Sequence, residues 1–248
     1  MMSSSEDPED ILSSALTTLY DYQPITLSSG PNSLFVYDPP EAGTSKITLR
    51  TPDTLAANWS LHASSVWVAS RFLADNVDYL NLPAHLIIAK RYPAVSIVVS
   101  DYNDVELIRT LSENVAENGV SANCRVVAYG WGSDPSELFL PDTELFDVVI
   151  AADTLWNPEF HGLFIEALKL TLKRSPQSRI HLFAGLHTGR YTIQSFLSAV
   201  STAGFELEIA SERETNGVRE RLWSVDRAEG EDESERRRWI VYMCLRWR

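Results

Sequence analysis

The sequence predicts an α/β fold, a doubly wound and largely parallel sheet with helices on its faces. Two features predict it. From residue 84 onward, short apolar runs alternate with stretches of helical period, and the runs are Val- and Ile-rich with few polar interruptions, as in strands covered on both faces. Gly, Asn and Pro fall between the runs, where turns are needed.

Residues 1–30 read as an acidic, partly disordered leader, with a short helical turn over 11–19 and a turn over 28–32; residues 31–248 read as a single domain. Residues 34–38 and 46–50 are β-rich and separated by Pro39, Pro40 and Gly43, which predicts a small N-terminal hairpin. Over 64–77, Val66, Val68, Ala69, Phe72, Leu73 and Val77 recur at helical spacing and predict one amphipathic helix. A helix is expected over 84–92 and a strand over 96–100, ending at Asp101. A helix over 105–117 follows, stopped by Asn118-Gly119. Strands over 125–129, 146–152 and 179–184 come next, with helices over 159–173 and 192–203. The last two strands are 205–209 and 239–245, and the acidic, Arg-laced segment 229–238 between them reads as an exposed loop of a hairpin.

Composition bounds the function. Across 248 residues, 34 Asp+Glu oppose 21 Lys+Arg, a formal net charge of −13. Phosphate neutralisation needs a basic face, so no nucleic-acid partner is expected, and a basic partner fits better. Cys124 and Cys244 lie far apart, each in an apolar strand-like run; they read as buried packing residues in a reducing compartment, with no disulfide framework and no metal site. No apolar run approaches the ~20 residues that span a bilayer, and residues 1–10 lack a basic-then-apolar signal pattern. The expected location is cytosolic or nuclear, the cytoplasm being preferred, with no membrane association.

Ligands of open α/β sheets bind beyond the carboxyl ends of the strands. Three such ends carry chemistry here: Asp101, then Gly130-Trp131-Gly132, then Ala152-Asp153-Thr154-Leu155-Trp156-Asn157. An ionised Asp101 offers only acceptors and suits a ribose diol, although an Asp there equally well caps the helix starting near Val105. Trp131 between two glycines would present a ring face to an adenine, although an aromatic after a strand is commonly core. Asp153 ends an otherwise apolar strand, so its burial is costly unless it is paired or functional. With Trp156 and Asn157 it could bind a substrate amine, or it could cap the helix near Glu159.

In order and spacing these strand ends resemble the seven-stranded methyltransferases that use S-adenosylmethionine, and within them the lysine and nicotinamide N-methyltransferase-like family. The resemblance runs from about residue 58 to 248. It is carried by Val66-Trp67-Val-Ala-Ser70 with Phe72-Leu-Ala-Asp75; by Val98-Val-Ser-Asp101-Tyr-Asn-Asp104 with Asn114 and Asn118-Gly119; by Tyr129-Gly-Trp131-Gly132; and by 146–157 with His161. Residues 153–157 and the stretch Gly185-Leu-His187-Thr-Gly189-Arg190 make it most similar to the fungal branch that methylates the N-terminal glycine and adjacent lysine of translation elongation factor 1-alpha.

The resemblance implies a class I methyltransferase fold of Rossmann-like type, S-adenosyl-L-methionine as cofactor, and elongation factor 1-alpha as protein partner. It implies that Trp67 and Trp131 contact the cofactor, that Asp101 holds its ribose, that Ala152 lines the adenosine side, and that Asp153 and Trp156 face the substrate. Many relatives carry Tyr where Trp156 stands. His187 reads first as a structural or substrate-rim residue, with proton acceptance as the alternative. In such a fold no covalent intermediate is needed, because the enzyme mainly aligns a neutral amine with an activated methyl.

One part of the pattern is missing. The family's first strand ends in an acid and a Gly-rich loop whose N–H groups receive the cofactor. The glycines stand at 30, 43, 119, 130, 132, 162, 185, 189, 204, 217 and 230, so no Gly-x-Gly precedes Asp101. Between the helix ending near Val77 and the next near Pro83, residues 78–82 leave too little chain for strand plus loop. The chain is therefore expected to lack that first strand and loop, with Leu82-Pro83 as the seam. Two other functions stay open: a small-molecule, nicotinamide-type N-methyltransferase, and a fold-retaining binding module without catalysis.

Overall fold

A computed structural model describes residues 25–40, 45–77, 89, 93–139 and 145–248. The N-terminal hairpin forms as predicted: β2 (Leu34–Tyr37) and β3 (Ile47–Arg50) pair antiparallel with Leu34 opposite Arg50 and Tyr37 opposite Ile47. Ahead of it, β1 (Thr26–Ser29) pairs with β4 (Ser65–Trp67). This corrects two expectations. The stretch 64–77 is not one helix, because Val66 and Trp67, a β-branched and an aromatic residue, find an extended partner in β1, and the helix α1 begins only at Val68 (Val68–Asp75). Residues 26–29 are likewise strand rather than leader or turn, and the turn itself lies at Gly30 and Asn32, both with positive φ.

The alternating part follows the sequence closely. β5 (Ile97–Asp101) and β6 (Cys124–Ala128) form a parallel pair joined through α2 (Val105–Glu117). β7 (Val148–Ala152) runs parallel to β8 (Arg179–Gly185), with α3 (His161–Thr171) between them. β8 leads through α4 (Arg190–Thr202) to β9 (Phe205–Glu214), and β11 (Trp239–Trp247) inserts antiparallel between β8 and β9. With β10 (Glu220–Leu222) the strand order is β10-β9-β11-β8-β7.

Among the described residues no strand pairs with the second edge of β5 or of β7, so hydrogen bonding divides the sheet in two. The core nevertheless runs across the division: Ile97 and Cys124 pack in one cluster with Phe183, Ile240, Tyr242 and Cys244. Both cysteines are free and buried, as expected. The expected seam at Leu82-Pro83 lies outside the described residues, as does the 84–92 helix apart from a helical, buried Ala89.

α2 docks the hairpin through two asparagines one turn apart. Asn114 Oδ1 accepts from Arg50 N at 2.8 Å and its Nδ2 donates to Arg50 O at 2.9 Å; Asn118 does the same with Thr48 N at 3.1 Å and Thr48 O at 2.7 Å. Each side-chain amide stands in for one residue of a neighbouring strand, satisfying the edge of β3 that β2 leaves open.

The segment 229–238 also differs from the expected exposed loop. It contains a helix, α5 (Glu233–Arg237), and Glu231, whose side chain is 5% exposed because it pairs with the fully buried Arg190. The Arg190 guanidinium forks onto Glu212 at 2.6 and 2.9 Å and onto Glu231 at 2.7 Å, with Arg221 and Arg227 also reaching Glu212. Burial alone would raise the Glu212 pKa, but the bonds from Arg190 and Arg221 outweigh it and hold it below the ordinary value.

Asn114→Ala and Asn118→Ala should each cost about 1–3 kcal/mol in urea unfolding. Each should also raise amide exchange at the backbone it pairs, Arg50 for the first and Thr48 for the second; unchanged exchange would refute the pairing. Arg190→Ala removes the buried bidentate partner of Glu212 and Glu231, leaving them only the more exposed Arg221 and Arg227, and should cost roughly 3–5 kcal/mol in the same assay.

Candidate active site

Capping decides which acids are free. Asp104, 1% exposed, is the N-cap of α2, its Oδ1 accepting from Glu106 N and Leu107 N while Oδ2 accepts from Leu55 N and Asn58 Nδ2. Asp101 is therefore not the cap. Its carboxylate accepts from the adjacent Tyr102 N at 2.7 Å and stands in solvent at the carboxyl end of β5. Solvent reaches it, yet the surrounding protein desolvates it enough to raise its pKa, with the Tyr102 N–H pulling the other way. A carboxylate that is recessed but accessible can still accept hydrogen bonds from a ligand.

Asp153 is not a cap either, since Asn157 Oδ1 accepts from Glu159 N at 3.0 Å and opens the turn Pro158–Phe160 that leads into α3. Asp153 takes the left-handed conformation, φ 53°, which Asp tolerates better than most residues. Its N–H donates to Phe183 O, and its carboxylate accepts from Gly185 N at 2.9 Å and from the backbone N–H of Ala69. Desolvation by burial outweighs those two bonds and pushes its pKa up to about 6.

The imidazole of His187 lies beside this acid and leads into a chain of aromatic rings. Trp67, the last residue of β4, stacks on His187 with centroids 5.3 Å apart and planes at 22°. His62 meets Trp67 edge-on at 6.2 Å and Trp156 edge-on at 5.7 Å, and its carbonyl accepts from Trp67 Nε1 at 3.3 Å. A cavity of about 10 Å³ is lined by Asp153, Gly185, His187, Ala69, Arg237 and Trp239. A side chain at 185 would crowd it, because a Cβ there would sit 2.8 Å from His187 Nδ1 and 3.4 Å from Asp153 Oδ1.

The structure thus brings Trp67, Asp153 and Trp156 into one neighbourhood, with His187. Ala152 ends β7 half-buried against the core shared with β5. Trp131 goes elsewhere, one face of its ring on Phe164 of α3 with centroids 4.5 Å apart. His161, from the motif, bonds Leu155 O at 3.0 Å and packs edge-on against Phe196, which is structural work. His62 was not singled out from the sequence. It closes a 3-10 helix, Ala56–Leu61, with φ 53°, and nothing in its local pattern points to Trp156.

Residues 84–202, just under half of the chain, match the family model described as lysine methyltransferase. A Schizosaccharomyces pombe protein named protein N-terminal and lysine N-methyltransferase efm7 is 26% identical over 195 residues, covering 70% of this chain and 75% of that one. The Gibberella zeae protein of the same name is 29% identical over 144 residues, covering 51% of this chain and 54% of its own length. The matched region thus spans about half of the latter relative. A solved methyltransferase structure from Pyrococcus furiosus aligns at TM-score 0.41 and 14% identity, covering 64% of this chain and 66% of that one.

A carboxyl whose folded pKa is raised contributes stability below its unfolded value near 3.8 and loses it as pH rises through about 6. Asp153→Asn keeps an acceptor for Gly185 N–H and tolerates positive φ, so its melting temperature relative to the wild type should improve from pH 5 to pH 8. Asp153→Val should melt lower at both pH values. Calorimetry at the two pH values checks this, and an Asn variant that loses ground at pH 8 would contradict the burial argument.

Proposed function

We propose, from the premise that this chain belongs to the lysine methyltransferase family through residues 84–202, that it transfers a methyl group from S-adenosylmethionine to an amine at the N-terminus, or the adjacent lysine, of translation elongation factor 1-alpha. The observation that carries the reading is Asp153. It is a strand-end carboxylate released from capping, set beside His187, whose ring stacks on Trp67, in a chain whose relatives are named as protein N-terminal and lysine methyltransferases.

The donor set fits the cofactor at Asp101, an accessible carboxylate with acceptor capacity left over for a ribose diol. Trp67 and Ala152 would border it, and the resemblance assigns Trp131 to the same role. When bound, S-adenosylmethionine supplies an electrophilic methyl. The protein's part is to bind the amine by its N–H groups at Asp153, to hold it against the indole faces of Trp67 and Trp156, which favour cationic character, and to keep it aligned. The −13 charge steers a basic polypeptide toward the site. Among the described residues no helix is long and apolar enough to cross a membrane, and the proposed location is the cytoplasm.

The absence of Gly-x-Gly before Asp101 favours a second reading, a fold-retaining binding module. The two readings separate in one experiment. The purified chain, S-adenosylmethionine labelled in its methyl group and recombinant elongation factor 1-alpha should give label at the factor's N-terminus or adjacent lysine by mass spectrometry, and S-adenosylhomocysteine should bind in calorimetry. Asp101→Ala should weaken that binding at least about tenfold, on the order of 1.4 kcal/mol. No binding at millimolar ligand would sink the enzyme reading, and label on nicotinamide alone would sink the protein substrate.

A further inference from the structure

An amine is nucleophilic only when neutral, and protein amines are mostly protonated at pH 7, so methylation needs somewhere for one proton to go. Asp153 is engaged by two backbone N–H groups. Two further titratable side chains line the same cavity, His187 and Arg237, and of these only the imidazole can accept a proton. Its Nδ1 and Asp153 Oδ1 both approach the single point above Gly185 where a Cβ would stand, so the two atoms are no farther apart than the sum of those two short approaches. The ring is held flat on Trp67 and carried on a three-residue turn, Leu186–Thr188, whose Leu186 is 1% exposed.

We propose that His187 is the proton acceptor for the substrate ammonium, taking the proton across Gly185 while Asp153 holds the amine's remaining N–H groups. The assignment rests on the amine-methylation reading. In the step, one ammonium N–H bond breaks, the proton joins a ring nitrogen of His187, and the electron pair stays on the amine nitrogen as the attacking lone pair. The imidazolium then returns its proton to water.

The charged groups facing the ring are Asp153 at the end of β7, Arg237 on α5 and His62. Burial first, then Arg237 and His62, hold the imidazole below its ordinary value, so the ring is neutral at pH 7 with a lone pair to offer, and the imidazolium it forms is short-lived and gives its proton up readily to water. Only glycine leaves room at 185 for the ring to sit in this way.

The test compares wild type with His187→Gln and Gly185→Ala, using the elongation factor substrate and reading kcat and KM from pH 6 to 10 together with binding of S-adenosylhomocysteine. His187→Gln should lower kcat about 100-fold at pH 7, with the deficit shrinking toward pH 10 as the amine deprotonates unaided; KM and binding should stay within about twofold. Gly185→Ala should show the same trend more weakly. Added imidazole should restore part of the rate to His187→Gly. Independently of activity, an NMR titration of the ligand-free protein should show the His187 imidazole titrating below 6.5.

A pH-independent loss, or no loss, in His187→Gln with ligand binding intact would overturn the assignment while leaving the methylation reading standing. A wild type that binds S-adenosylhomocysteine but methylates no amine would overturn both.

Discussion

Asp153 ties three elements to one point. It sits in a left-handed turn just past β7, donates its own N–H to Phe183 O of β8, and accepts from Gly185 at the far end of β8 and from Ala69 in the first turn of α1. α1 has no cap of its own, because the residue before it is Trp67, whose side chain cannot accept. The carboxylate of a distant strand therefore does that work and also meets the positive end of the helix. This fixes where β4 ends, and so where the indole of Trp67 stands. Replacing the acid by an apolar residue would release the Gly185 and Ala69 N–H groups, and with them the side-chain ties to β8 and α1, while the backbone bond to Phe183 O stays.

The same logic explains why the chain carries so many short polar residues near the carboxyl ends of its strands. A helix that follows a strand in an α/β unit needs an N-cap within a few residues, and a functional acid placed there competes for the job. Here the tasks are divided: Asp104 and Asn157 take the capping, and Asp101 and Asp153 are left three or four residues upstream with acceptor capacity to spare. Asp104 goes further and binds Leu55 N and Asn58 Nδ2, so that the cap also anchors the loop leading to His62. The price of that division is an acid in a poorly solvated turn, visible in the raised pKa of Asp153.

What could be read in the sequence was what depends on period and on strand-end position. The run of α2, Val105–Glu117, and the strand ends at Asp101 and Asp153 are set by local pattern, and both acids stand where the pattern puts them. β4 carries a helical pattern in the sequence, because Val66, Val68, Ala69 and Phe72 satisfy a helical period on their own, and only the partner β1, about 40 residues earlier, tells strand from helix. His62 was invisible for a related reason: it reaches Trp156 through the turn that ends a 3-10 helix, a geometry without local signature. The acidic segment containing Glu231 looked like solvated loop because charge alone does not reveal that its partner, Arg190, is buried.

That buried arginine bears on the site as well as on stability. Arg190 follows Gly189 directly, and the turn carrying His187 lies between it and Gly185. Asp153 pins the turn at its first end through Gly185 N, and Glu212 and Glu231 pin it at the other through the Arg190 guanidinium. Burying such an ion cluster rarely adds net stability over an apolar replacement of the same shape, so a role in fixing position accounts for it better than a role in stability. With Leu186 sunk into the core between the two anchors, the turn has little freedom to swing, and His187 is left with its ring against Trp67. The imidazole is thus positioned partly by Glu212 and Glu231, which do not line the cavity it borders.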